Sequence, residues 1–296
     1  MQLETLCVNP LTVVGFLQEN GVLSSNFYCS ACSAWMSLVQ NEARLDKFIM
    51  RCTSCRSELS IRHGSILSKS KLTLKQFVYF CCFWCLKISA KQLGELLSLS
   101  DKTLTKYMRM CQGVCSWQLQ RLDMRIGGIG RIVQIDESVI YRAKHHRGHA
   151  LFEQKKWMFG MYDVESKIGL ILFVRDRSAA TLLSLITTHI MPGTEIHSDQ
   201  WGAYQGISQL PVFPPFIHRT VNHSLHFVDP ISGVHTNNVK AFWCAVKRKF
   251  KLINGARRED TASHLDEFMF RQRFGKTQNE MFTNFLACLG DMSTFE

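Results

Sequence analysis

The sequence predicts an α/β protein in which a mixed β-sheet flanked by helices follows two small N-terminal modules. Three observations predict this: two CxxC pairs in the first 68 residues, a helical pattern over 69–124, and β-rich runs alternating with helical patterns from Arg131 onward. We therefore divide the chain into segments 1–68, 69–124 and 125–296. A chain of 296 residues is long enough for one domain of about 150–200 residues plus one or two small modules.

The composition is that of an ordered globular protein, with 46% hydrophobic and 20% charged residues. The 35 basic and 24 acidic residues leave a net charge of +11, which makes a polyanion such as nucleic acid a plausible partner. The longest apolar run, Phe77 to Leu86, is too short to span a bilayer. The first residues contain no basic n-region of a signal peptide. We expect an intracellular protein without a membrane partner, nuclear in a eukaryote and cytoplasmic otherwise.

Four cysteines in the first segment predict a metal site. Cys29 and Cys32 form one CxxC pair, and Cys52 and Cys55 form a second one after 19 intervening residues. Each pair can place two thiolates at one knuckle, and two knuckles complete a tetrahedral site for structural zinc. The alternatives are four unrelated buried cysteines or two disulfides, which a reducing compartment disfavours. We interpret this segment as a zinc ribbon with four cysteine ligands.

Residues 88–111 read as a helix, a tight turn and a second helix. Ser89 can cap a first helix over 90–97, and Ser100 or Asp101 can cap the second one. This is the layout of a helix-turn-helix whose second helix presents polar and basic side chains to a DNA groove. An ordinary helical hairpin is the alternative. The candidate DNA-binding residues of the second helix are Lys102, Thr103, Thr105, Lys106 and Arg109.

The third segment carries the candidate chemistry. A short β pattern over 131–136 ends in Asp136, and a later one in the stretch 192–201 ends in Asp199. Between them, residues 157–176 read as a hairpin that turns near Glu165 and Ser166, followed by a helix over 178–190. Residues 237–252 form an amphipathic helix. Two strands that end in aspartates, a hairpin and a later helix predict a mixed sheet of the ribonuclease H type, which polynucleotidyl transferases use.

Phosphoryl transfer on such a sheet needs carboxylates. Two divalent cations about 4 Å apart activate the attacking oxygen and stabilise the leaving one. Hard Mg²⁺ is bound through carboxylate oxygens, water and phosphate. Asp136 and Asp199 can supply one carboxylate from each of two neighbouring strands, and a helix usually supplies a third.

The chain resembles the Merlin superfamily of DDE transposases and its bacterial insertion-sequence relatives. The resemblance covers nearly the whole chain, including the CSAC and CTSC pairs and the stretch SIRHGSILSKSKLTL. The third segment carries its most specific motifs, which are GGIGRIVQIDES, WMFGMYD, VRDRSAATL, MPGTEIHSDQWGAY, TVNHSLHFVDPISGVHTNNVKAFWCAVKRK and HLDEFMFR.

The resemblance implies a zinc ribbon and a helix-turn-helix ahead of a ribonuclease H-like domain. Members of the family cut transposon ends and join the freed 3′-hydroxyls to target DNA with Mg²⁺ or Mn²⁺, usually as oligomers on paired ends. Asp136 and Asp199 match the first two acids. The third acid of the family follows a pattern similar to HTNxIExxW, and its position is occupied here by Lys240. An ammonium 4 Å from a unit positive charge costs about 4 kcal/mol at an effective dielectric near 20, and about twice that beside a dication.

Three functional hypotheses follow. The first is a transposase-derived protein that binds double-stranded DNA, at transposon ends or genomic sites, with impaired cleavage and strand transfer. The second is an active transposase that recruits another acid, for which Glu137 and Asp229 are candidates by sequence proximity. The third is an interaction protein that reuses the fold without DNA. We expect a homodimer from the resemblance.

A basic cluster on the helix at 237–252 has two interpretations. It can contact DNA phosphates, or it can be an ordinary solvated face. Its residues are Lys247, Arg248, Lys249 and Lys251. The stretch 144–149, with two basic residues and three histidines, has the same two interpretations.

Overall fold

The computed structural model of the chain describes residues 8–139, 157–253, 255–257 and 259–293. The chain forms two compact units, one of Met1–Gln120 with Phe274–Glu296 and one of Arg121–Arg273. The segment expected at 125–296 is thus divided between the two units, because Phe274–Glu296 belongs to the unit that contains Met1–Gln120. Within the described ranges, no helix combines the length and the apolar character needed to cross a bilayer.

The first unit begins with helix α1 and a small antiparallel sheet. Helix α1 (Pro10–Glu19) is capped by the side chain of Asn9. The sheet has the order β1-β2-β3 and pairs Met36 with Cys52. Its strands are β1 (Met36–Gln40), β2 (Phe48–Cys52) and β3 (Glu58–Leu59). This register brings the two CxxC pairs to one end of the sheet.

Three helices follow in this unit. They are α2 (Leu74–Cys85), α3 (Ala90–Leu97) and α4 (Asp101–Arg121). Ser89 caps α3, as the sequence predicted, and it also forms a capping box with Gln92. Ser98 ends α3 in the left-handed conformation with φ of 53°. Ser100, rather than Asp101, caps α4, since its side chain accepts the backbone N–H of Thr103.

The second unit is built on a five-stranded mixed sheet. The strands of this unit are β4 (Ile126–Gly127), β5 (Ile132–Val139), β6 (Trp157–Asp163), β7 (Ile168–Val174), β8 (Ile190–Met191), β9 (Glu195–Asp199) and β10 (Ile217–Val221). The large sheet has the order β10-β9-β5-β6-β7, and β4 pairs with β8 separately. Strands β5, β6 and β7 are antiparallel, whereas β9 runs parallel to β5 and β10 parallel to β9. This is the ribonuclease H-like arrangement that the sequence predicted.

One detail of the strand that carries Asp136 differs from the expectation. The sequence pattern ended the strand at Asp136, but β5 continues to Val139 because β6 pairs with it as far as Val139 and Trp157. Asp136 therefore lies inside the strand, opposite Gly160 of β6. The predicted hairpin between β6 and β7 is confirmed, with Asp163 paired to Ile168 across the turn.

The helices of this unit are α5 (Ala179–His189), α6 (Asn237–Leu252) and α7 (Thr261–Phe274). Helix α6 has the bounds that the sequence predicted, and it packs closely on the sheet where glycines leave room. A Cβ atom at Gly160 would lie 2.5 Å from the ring of Trp243, and one at Gly169 would lie 2.3 Å from the ring of Phe242. Both positions therefore require glycine if α6 is to pack this closely on the sheet.

The last helix, α8 (Gln278–Ser293), belongs to the first unit. The ring of Phe285 in α8 lies 4.8 Å from the ring of Trp84 in α2, and both side chains are buried. The apolar face of α2, which made the longest hydrophobic run of the sequence, is thus covered by the C-terminal helix.

Candidate active site

Asp136 and Asp199 lie on the same face of neighbouring strands. The register of β5 and β9 pairs Gln134 with His197, and each aspartate follows its paired residue by two positions. Residues two apart on a strand point to the same face, and neighbouring strands are about 4.8 Å apart. The two carboxylates that the sequence singled out are therefore brought together at one level of the sheet.

The surroundings of Asp136 disfavour its ionised form. Burial, the carboxylates of Glu137 and Asp199, and the ammonium of Lys240 all act on this group. Burial and the two acids outweigh the lysine and raise the pKa of Asp136 to about 6. The cluster thus concentrates negative charge that a cation would stabilise, and Lys240 supplies part of that stabilisation.

Gln134 fixes the helix that carries Lys240 to the strand that carries Asp136. Its side-chain oxygen accepts the backbone N–H groups of Asn238 and Val239, at 2.9 and 3.1 Å. Thr236, at the N-cap of α6, makes no side-chain cap, so a buried strand residue satisfies the first turn instead. Because Gln134 and Asp136 share a face of β5, this contact holds the start of α6 beside the acid pair.

Lys240 points its ammonium at His223. The distance from Lys240 Nζ to His223 Nε2 is 2.8 Å, and the hydroxyl of Thr236 lies 2.8 Å from the same nitrogen. Lysine can only donate, so the imidazole accepts as a neutral ring. Burial and the charge of Lys240 lower the pKa of His223, which favours that neutral form. His223 therefore holds the ammonium of Lys240 in place.

The two acids considered as substitutes have other partners. Glu137 accepts a hydrogen bond of 2.7 Å from the hydroxyl of Tyr204, a buried residue. It follows Asp136 directly on β5, so its side chain leaves the opposite face of the strand. Asp229 accepts hydrogen bonds from the backbone N–H groups of Ile231 and Ser232 within a turn. Neither carboxylate takes the place that Lys240 occupies.

The donor set at this site suits one divalent ion better than two. Asp136 and Asp199 offer the hard oxygen ligands that Mg²⁺ and Mn²⁺ prefer. Within the described residues, no third His, Cys, Asp or Glu joins them in a cluster of possible ligands. Lys240 adds a positive charge that acts on Asp136. These residues therefore fit at most a single ion held by two carboxylates and do not fit a pair.

The four cysteines of the N-terminal unit form a cluster that fits zinc. Their sulfur atoms all lie within 4.8 Å of one another, with 3.4 Å between Cys29 and Cys55 and between Cys32 and Cys52. These separations exceed the length of a disulfide, about 2.05 Å, and all four thiols are free. The two knuckles have the same form, since Ser33 and Arg56, each four residues after the first cysteine of its pair, adopt positive φ. The predicted zinc-ribbon geometry is thereby confirmed.

Helix α4 presents a polar stripe to solvent. Lys102, Thr105, Lys106 and Arg109 are exposed at helical spacing, and they line a shallow groove that begins at Asp101. The opposite face of α4, which includes Leu104 and Tyr107, is buried. Thr103 differs from the other candidates, because its hydroxyl lies 3.0 Å from that of Ser100 and takes part in the helix cap.

The basic cluster on α6 separates into two groups. Lys247, Arg248 and Lys251 are exposed. Lys249 instead lies 2.8 Å from Glu267 and donates to the backbone oxygen of His264. Burial alone would raise the pKa of Glu267. The charges of Lys249 and Arg271 outweigh burial and lower this pKa to about 2. Lys249 is thus an internal ion-pair partner that links α6 to α7. The basic stretch 144–149 lies outside the described residues.

Sequence reasoning missed Gln134. The residue is almost fully buried and lies two positions before Asp136, in a run that otherwise reads as apolar strand. A buried glutamine must find hydrogen-bond partners, and that requirement was the available signal. The identity of its partners depended on where α6 docks, which the sequence pattern does not give.

One protein family and several solved structures match parts of the chain. The family described as ISXO2-like transposase domain matches residues 128–273. No curated protein sequence matches the chain significantly. Among solved structures, the catalytic core of BIV integrase is 12% identical, with a TM-score of 0.33, and the match covers 49% of this chain and 84% of that one.

A second structural match is to a simian T-cell lymphotropic virus intasome bound to the PP2A regulatory subunit B56 gamma. It is 13% identical, with a TM-score of 0.32, and covers 64% of this chain and 69% of that chain. Both TM-scores are low, so the fold assignment rests on strand order and direction. The match to the ISXO2-like transposase domain spans residues 128–273, which carry Asp136, Asp199 and Lys240.

Proposed function

We propose that this chain is a transposase-derived protein that binds double-stranded DNA and whose end cleavage and strand transfer are impaired. The observation that carries the proposal is the ammonium of Lys240, held by His223 beside Asp136 and Asp199. A transposase of this chemistry needs two cations to stabilise the attacking and the leaving oxygen. Two carboxylates and an ammonium favour the loss of that paired-ion site while leaving the fold intact.

DNA binding is supported by charge and by the polar stripe of α4. Lys102, Lys106 and Arg109 can meet phosphates or base edges, and Thr105 adds a hydroxyl between them. On α6 we retain Lys247, Arg248 and Lys251 as phosphate contacts and leave out Lys249, which is engaged with Glu267. Structural zinc at the four cysteines would hold the N-terminal module in shape. The protein would then act where the genome is, in the nucleus or the bacterial cytoplasm, and as a homodimer if it pairs two DNA sites.

A plasmid-nicking assay tests the proposal. Supercoiled plasmid is incubated with Mn²⁺ and the wild-type protein, with Asp136→Ala as the negative control and Lys240→Glu as the restored triad. We expect binding without nicking for the wild type, and a gain of nicking for Lys240→Glu that Asp136→Ala abolishes in the double variant. Nicking by the wild type that disappears in Asp136→Ala would favour an active transposase. Absence of any duplex affinity at low salt would favour an interaction protein.

A further inference from the structure

An arginine lies between two tryptophans at the strand ends of the sheet that carries the acid pair. The guanidinium carbon of Arg177 is 3.9 Å from the ring centre of Trp157 and 4.8 Å from that of Trp201. Both distances are within the range of a cation–π interaction. Among the described residues Arg177 has no ion-pair partner, and its charge acts on the Glu137 carboxylate by electrostatic attraction. The guanidinium is therefore held by aromatic rings.

This stack is connected to the acid pair through the backbone. The N–H of Trp201 donates to the Asp199 carboxylate at 3.0 Å. Trp157 pairs with Val139, three residues after Asp136 on the same strand. The stack therefore lies at the end of β5 and β9, next to the level of the two aspartates. Trp157 lies on the Glu137 face of the sheet and the two aspartates lie on the face that α6 covers, so a DNA strand that touches both passes over the strand ends.

The indole of Trp201 keeps a large solvent-exposed surface. It retains 44% of its accessible surface although Arg177 holds its ring. An indole in a fixed orientation with an open surface is a suitable platform for a nucleobase, because every base has a flat apolar face. Arg177 beside it has donors that fit a phosphate oxygen pair.

We propose that the Arg177–Trp201 pair binds an unpaired nucleotide of a DNA end that lies across Asp136 and Asp199. The base stacks on the indole of Trp201, and the guanidinium of Arg177 contacts the adjoining phosphate. An unpaired nucleotide is specified because a base inside a duplex is already stacked on its neighbours. The inference rests on the proposed DNA binding and adds a preference for one form of DNA end.

Fluorescence anisotropy with two labelled DNA probes tests this inference. One probe is a blunt duplex, and the other is the same duplex with a three-nucleotide 3′ overhang. We expect the wild type to bind the overhang probe about ten-fold more tightly, in line with the stacking of one base. Trp201→Ala should lower the affinity for the overhang probe to that for the blunt probe. The affinity for the blunt probe itself should stay unchanged. Trp201→Phe should retain part of the preference.

Two further variants exclude a merely structural effect. Phe173 is an aromatic residue on the other face of the sheet with the same exposure, 44%, so Phe173→Ala is the matched control and should keep the full preference. Arg177→Lys keeps the charge but not the planar stack, so it should lose most of the preference without a change for the blunt probe. Equal wild-type affinity for both probes, or equal losses in Trp201→Ala and Phe173→Ala, would overturn the inference and leave the DNA-binding proposal intact. Failure to bind either probe would overturn both.

Discussion

The ammonium nitrogen of Lys240 lies 2.8 Å from Nε2 of His223. His223 follows strand β10, and Lys240 lies in the first turns of α6, so the contact joins the two elements that flank the acid pair. It holds a positive charge in the position where a third carboxylate is expected from the family resemblance. The remaining features of the site, including the buried cap at Gln134 and the glycines under α6, are those of an intact helix-on-sheet site.

The ionised carboxylate of Asp136 should destabilise the folded protein. Its pKa is raised from 3.8 to about 6 by burial and by its acidic neighbours, so the folded state binds this proton more tightly than the unfolded state does. The contribution of Asp136 to the free energy of unfolding therefore falls as the pH rises from about 4 through 6. Asp136→Asn should raise the free energy of unfolding by about 1–3 kcal/mol at pH 8, and the gain should vanish near pH 4.

Chemical denaturation at several pH values measures this effect. Asp176→Asn serves as a control of opposite sign, because hydrogen bonds from Ser178 and Thr181 lower the pKa of Asp176. That variant should lose stability at neutral pH. A loss of stability in Asp136→Asn at pH 8, equal to its loss at pH 4, would contradict the electrostatic description of the site.

The close approach of α6 to the sheet depends on Gly160. Its replacement by alanine puts a methyl group 2.5 Å from the ring of Trp243, which is fully packed. We expect Gly160→Ala to lower the free energy of unfolding by about 1–3 kcal/mol through overpacking. Gly202→Ala is the matched control, since nothing lies within 4 Å of a Cβ atom there, and it should change stability by less than about 0.5 kcal/mol. Equal effects in urea denaturation would mean that α6 does not pack as described.

Zinc should be bound by the four clustered cysteines and by no other thiol. Elemental analysis of the purified protein should give one zinc per chain, and Cys52→Ser should abolish it because three thiolates hold the ion poorly. Cys244 is exposed and lies outside the cluster, so Cys244→Ser should retain the metal. Removal of zinc by a chelator should reduce DNA affinity together with the far-UV circular dichroism of the small sheet. A zinc-free wild type with the same spectrum would refute the assignment.

The polar stripe of α4 should carry a large part of the DNA affinity. Removal of one phosphate contact should lower the slope of log affinity against log salt concentration by about 0.9. The double variant Lys102→Ala, Lys106→Ala should therefore lower the slope by up to about 1.8 and weaken binding to any duplex. Lys276→Ala removes another exposed lysine, which lies outside α4, and should have no such effect. An unchanged slope in the double variant would show that α4 does not face DNA.

Much of the fold followed from local patterns. Helix α6 was predicted with its observed bounds, because its apolar residues recur at helical spacing and Val239, Phe242 and Trp243 are indeed buried. The helix predicted over 178–190 is observed as α5, and Ser178 caps it. These features depend on residues within a few positions of each other, which is the range over which sequence periodicity is informative.

Other features depended on distant contacts. Strand β10 was not predicted, because it is an edge strand with mostly exposed side chains and shows no alternation. The union of α8 with the first unit was not predicted either, since its partner α2 lies nearly two hundred residues earlier. The sequence singled out Asp136, Asp199 and Lys240 as candidates for the site. The cap by Gln134 and the contact of Lys240 with His223 could not be predicted, because both require the register of the sheet and the docking of α6.

A calorimetric titration of Mn²⁺ tests the central claim most directly. Zinc-loaded wild type, Lys240→Glu and Asp136→Ala are titrated under identical conditions, so that binding outside the acid cluster is subtracted. We predict at most one weak site in the wild type and a second, tighter site in Lys240→Glu, because the change restores a carboxylate and removes a positive charge. Two sites of equal affinity in the wild type, both abolished by Asp136→Ala, would contradict the claim that Lys240 disables the paired-ion site.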